Sequence, residues 1–212
     1  MALTLQRACV CAATCFASGC LWVAVGAQEA AMTPEGELAP KLALTQFRSF
    51  PRSARVARIC VIHTFGIDSA RESVEAGFAG TRDYAFDPAA LLASALAEGL
   101  QRTCQSTAID PRAADPSRID FARELAIVSE VTGVRMRHDP LHIGWVELAI
   151  DARTEVRATG KAPGWSVESK PGRPANAASP DMATALSVGL IGVVDAVNQL
   201  IFENRERLAR AQ

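Results

Sequence analysis

Several signatures from which chemistry is commonly read are missing from this chain. Neither G-x-G-x-x-G nor G-x-x-x-x-G-K-[ST] occurs, so no loop of those types is present to cradle a phosphate. The nucleophile elbow G-x-S-x-G is absent as well, and no zinc-type spacing of Cys and His lies beyond the first 20 residues. Basic and acidic residues balance, 22 against 23, which removes the strongly cationic footprint of a nucleic-acid binder. Histidine is scarce, with three in 212 residues. His138 and His142 have the separation of ligands on one helical face, but Pro140 lies between them in a region that reads as strand and turn. Neither a cofactor nor a metal site is expected.

What is present begins with an export leader. Arg7 precedes an apolar run from Ala8 to Val25, and Val25-Gly26-Ala27 places small residues at −3 and −1 from a cut after Ala27. Cys9, Cys11 and Cys15 lie inside the run and read as small apolar residues of a discarded peptide. A second route competes: Ala17-Ser18-Gly19-Cys20 is similar to the lipobox of bacterial lipoproteins, where the thiol is acylated before cleavage, although Ala17 stands where Leu is usual. A third is retention as an uncleaved anchor. On either cleavage route the chain is expected in the periplasm, held at the outer membrane by a lipid on Cys20, or secreted.

Residues 28–54 read as a flexible tether and residues 55–212 as one α/β domain. Between Leu38 and Ile67 stand Lys41, Arg48, Arg52, Arg55 and Arg58 with no acid. Such a strip suits anionic lipid headgroups or another acidic surface, or is a solvated linker kept soluble by its charge. Cys60 and Cys104 remain beyond the leader region. They form either one disulfide between neighbouring strands or two buried thiols.

The pattern along the domain predicts an apolar strand over Val56–Phe65, closed by Gly66, and a short helical turn opened by Ser69-Ala70-Arg71-Glu72 and broken at Gly77 and Gly80. Asp87-Pro88 caps a helix over Ala89–Gln101, Cys104–Ile109 reads as a strand, and Asp115-Pro116 opens a second helix that Gly133 stops. The period then becomes two. Val146, Leu148, Ile150, Ala152, Val156 and Ala158 share one face, and Glu147, Asp151, Arg153, Glu155 and Arg157 the other, wet one. With Val134, Met136 and His138 before it, across Asp139-Pro140, and Trp165, Val167 and Ser169 after it, this makes a three-strand antiparallel meander.

Ser179-Pro180 caps a closing helix that runs to about Arg207. Its stretch Met182–Phe202 has the length of a membrane span, but Thr184, Ser187, Asp195, Asn198 and Gln199 favour packing against a sheet. Ala185, Gly189, Gly192 and Ala196 form a small-residue track that allows close approach to that sheet or to a second copy of the chain. The expected fold is α+β: a mixed sheet with an antiparallel meander, helices on one face and a long C-terminal helix.

The segments R-I-C-V-I-H-T-F, D-P-A-A-L-L-A-S-A-L-A-E-G-L, F-A-R-E-L-A-I-V-S-E-V-T-G-V and W-V-E-L-A-I-D-A-R-T-E-V, in this order of elements, resemble small bacterial envelope lipoproteins whose domain is similar to the amino-terminal domain of TolB. The resemblance implies an accessory role through contact with another envelope protein, without catalysis. The alternative is a secreted hydrolase or small-molecule binder using a strand-end cleft at His63 and Asp68. Trp145 and Trp165 bracket the meander as a candidate aromatic surface or as part of the core and rim.

Overall fold

The structure, a computed structural model, describes residues 46–75, 81–138, 145–160, 164–169, 175–176 and 182–210. Strand β1 (Val56–Gly66) is its hub. Apolar side chains occupy both faces of this strand because both are covered: Cys60 and Ile62 enter the main core, and Val61 enters a second cluster behind the sheet. Gly66 closes the strand at φ 113°, where an added Cβ would sit 2.4 Å from the Val131 carbonyl oxygen.

A hairpin of β2 (Ala70–Glu75) and β3 (Thr81–Phe86) follows, replacing the helical turn expected from Ser69–Glu72. Six cross-strand pairs, from Ala70↔Phe86 to Glu75↔Thr81, satisfy the backbone groups that a single helical turn would leave open. The buried ends Ala70 and Phe86 anchor the hairpin in the core. The expected breakers Gly77 and Gly80 lie outside the described residues.

Helix α1 (Pro88–Gly99) begins as expected, with the Asp87 side chain accepting from the Ala90 backbone N–H and proline in the first turn. A 3-10 turn then leads to β4 (Cys104–Ile109), which pairs parallel with β1. The Cys60–Cys104 disulfide joins these two strands, with Cα atoms 5.9 Å apart.

The second expected helix is not a helix. Asp115 does cap, accepting from the Ser117 N–H, but the turn at Pro116–Arg118 ends at once and the chain enters β5 (Glu124–His138). Leu125, Ile127 and Val131 face the main core, and Ala126, with half-buried Val128 beside it, faces the second cluster. Ala122, which a helix would bury alongside Ile119, is exposed. A strand with β1 on one side and another strand on the other, buried on both faces, shows a continuous apolar run that mimics helical spacing.

Strands β6 (Trp145–Arg157) and β7 (Trp165–Ser169) complete the meander, giving the order β4-β1-β5-β6-β7, and the two-residue β8 (Ala175–Asn176) pairs with the start of β6. The Asp139-Pro140 turn lies outside the described residues. Pairing between β5 and β6 shifts between Val131 and Gly133. The extra residue, Thr132, changes the parity of β5, so Val131 and then Val134 and Met136 all reach the same core.

Helix α2 (Met182–Arg210) closes the fold, and the proposed cap at Ser179-Pro180 lies outside the described residues. Leu186, Leu190, Val193, Val194, Val197 and Ile201 are fully buried, so the apolar length that matches a membrane span covers the sheet. At Gly189 an added Cβ would stand 2.6 Å from the Leu148 carbonyl oxygen. Thus the close approach offered by the small track is made by Ala185 and Gly189 to their own domain, leaving Gly192 and Ala196 half-buried. The arrangement is the expected α+β class, a mixed sheet with α1 and α2 on one face.

The packed domain starts before Arg55, where the tether was expected to end. Phe47 is 2% exposed, wedged between Gly99 at the end of α1 and the surface of α2. The Arg48 backbone N–H donates to Asp195 Oδ1 at 2.9 Å and its guanidinium to Gln199, which fixes this segment along α2.

Candidate functional site

Helices cover one face of the sheet, and the turns around Ala113, Ile119 and Phe121 cover part of the other. Among the described residues, none covers the remainder of that second face. It is built by alternation: residues between the core positions of β1, β5, β6 and β7 point to it. His63 and Phe65 stand there from β1, their rings stacked at 5.8 Å with an interplanar angle of 19°. In register beside them are Val128 and Glu130 of β5. Phe65 is 44% exposed, unusual for a large aromatic side chain.

A groove of about 310 Å³ opens beside Phe65, lined further by Val128, Glu130, Arg153, Glu155 and Ser166. Charge on this surface is ordered across the strands: Glu130, Arg153 and Glu168 are direct neighbours on β5, β6 and β7. Exposed Arg153 has no ion pair among the described residues. Glu155, by contrast, is engaged, accepting from Arg157 at 2.7 Å and from the Gly164 N–H at 3.0 Å. The Arg157 hydrogen bond holds the Glu155 carboxyl below the usual carboxylate range despite partial burial, and the same contact raises Arg157. The groove thus offers an aromatic wall, one neutralised ion pair and an available cation.

The structure distributes the sequence-derived candidates unevenly. His63 lies on the open face, while Asp68 is exposed in the connection to β2, and no hydrogen bond or ion pair joins them among the described residues. Trp165 packs half-buried against the helix-side core, opposite Val156. Trp145 is eleven residues upstream of Val156 on β6, roughly 36 Å along the strand, so the two tryptophans do not converge. Cys20 and Ala27 lie outside the described residues. Among the described residues there is no group of three or more His, Cys, Asp and Glu arranged to hold a metal ion.

Sequence reasoning missed Phe65, Val128 and Glu130 as surface residues. The available signal was the placement of Phe65 on the same strand face as His63, just before Gly66.

An α+β domain with one sheet face under helices and the other only partly covered by the described residues is thereby defined. Protein XCC0632 from Xanthomonas campestris, whose crystal structure is described with family-model DUF330, has a similar fold, with a TM-score of 0.53 and 16% sequence identity. The alignment covers 81% of this chain and 98% of that one, and at this identity the likeness is one of fold. No protein-family model and no curated protein matches the chain.

Proposed function

We propose that this chain is an exported envelope protein, released after Ala27 or lipid-anchored through Cys20, that acts without catalysis by holding another envelope protein on its open sheet face. The observation that carries the reading is Phe65: a large aromatic, 44% exposed, at the wall of a groove edged by charges of both signs. An aromatic anchor with a polar rim is the composition of an interaction hot spot. The leader residues Arg7 to Ala27 support export, and the Cys60–Cys104 disulfide suits an oxidising compartment.

The test is a photo-crosslinking amino acid at Phe65 in the exported chain, with exposed Ser94 on α1 as the control position. A discrete crosslinked protein is expected from position 65 and not from position 94. Identical product patterns from both positions would remove the open face as the contact.

A further inference from the structure

From Gln46 the described chain runs along α2, from Asp195, where Arg48 is held, to Phe202, and the end of the domain that it reaches there is cationic. Arg48, Arg52 and Arg55 follow in the entering segment, where the Phe50 ring lies 5.4 Å from that of Phe202 near the end of α2. The same end of α2 carries Arg205, Arg207 and Arg210. The acids on this stretch of α2 are Asp195, which accepts from the Arg48 N–H, Glu203, which accepts from Gln199, and Glu206, which pairs with Arg210 at 3.7 Å, so the arginines outnumber them six to three. Glu98 and Arg102 at the end of α1 add one charge of each sign. Arg52, Arg55 and Arg207 are exposed and have no ion pair among the described residues. Forty-five residues precede Gln46, and within them Lys41 extends the run without an acid, while the apolar stretch Ala8–Val25 and Cys20 lie farther upstream.

We infer that this cationic end docks on an anionic lipid bilayer, the membrane to which the upstream segment leads. Charge complementarity points to this surface. The inference rests on the export reading for its setting, and it is independent of the contact at Phe65. It also orients the molecule. β1 starts at Val56 beside this end and reaches Phe65 after nine residues, about 30 Å away at the rise of a strand, so a docked domain presents its groove clear of the headgroups.

The test uses the full-length chain in two kinds of vesicle, phosphatidylcholine alone and phosphatidylcholine with about one third phosphatidylglycerol. Arginines are labelled with phenylglyoxal and read by mass spectrometry. In the anionic vesicles, labelling of Arg52, Arg55, Arg207 and Arg210 is expected to fall at least about threefold relative to neutral vesicles, with Arg112 and Arg153 unchanged. Salt at about 0.5 M, which shortens the screening length to roughly 4 Å, is expected to restore it. The variant R52E/R55E/R207E, folded by circular dichroism, is expected to lose the protection at Arg210. Equal labelling in both vesicles overturns the proposal. Protection by inorganic phosphate alone, or protection centred on Arg153, overturns it too, in favour of a free anion or of the open face as the lipid contact. Because the vesicles supply the bilayer directly, failure here leaves export and the Phe65 contact standing, and failure of either of those leaves this result unchanged.

Discussion

The Thr103 hydroxyl donates to Asn198 Oδ1 across 2.6 Å, with both side chains fully buried. Asn198 in turn donates through Nδ2 to the Gly99 carbonyl at 3.2 Å, so one amide of α2 holds both the end of α1 and the approach to β4. Removing one member leaves its partners unsatisfied in the core, which costs more than the net value of the bond. Asn198→Ala is expected to lose about 3 kcal/mol and Thr103→Val about 1–2 kcal/mol. A double-mutant cycle in urea should give a coupling of about 1 kcal/mol; strict additivity would show that the two side chains act separately.

The Cys60–Cys104 disulfide closes a loop across a sequence separation of 44. Chain-entropy arguments for a loop of this size give a ceiling of roughly 4 kcal/mol. The double variant Cys60→Ala/Cys104→Ala is expected to lose about 2–4 kcal/mol. Reductant should lower the Tm of the parent chain toward that of the variant and leave the variant unchanged. A parent Tm indifferent to reductant would show that the bridge contributes nothing.

Asp195 provides a test in pH. Partial burial raises its pKa, opposed by the Arg48 N–H and the Arg48 charge. A carboxyl whose folded-state value lies above its unfolded value contributes stability while protonated, and that contribution is lost as pH rises through the folded value. At pH 7, therefore, the ionised group opposes folding. Asp195→Asn keeps an oxygen to accept from Arg48 and is expected to raise Tm at pH 7, with the difference vanishing below the ordinary Asp value of about 3.9. A lower Tm at pH 7 would mean that attraction to Arg48 outweighs desolvation.

The elements that were legible in the sequence are those whose local chemistry and tertiary setting agree. Asp87-Pro88 both caps and starts a helix, and the alternation from Leu148 to Ala158 matches a sheet with one covered face. The first part of β5, from Glu124 to Gly133, reads wrongly as helix because its local spacing satisfies two templates at once, and only the neighbours β1 and β6 decide between them, whereas Val134 to His138 reads correctly as a strand. The Asp115-Pro116 cap deepened the error, since a cap signals that a turn begins and is silent on how far it continues. The open face was half legible: charges on β6 were placed on the wet side, yet the groove depends on parallel pairing of β1 with β5, which no local pattern encodes.

Phe47 has a mechanical consequence. Its ring is a plug set between the end of α1 and the flank of α2, ahead of β1. A pull applied from upstream of Gln46 would load that plug and the Arg48 latch before any strand of the main sheet parts from its neighbours, so the sheet is insulated from force on that side.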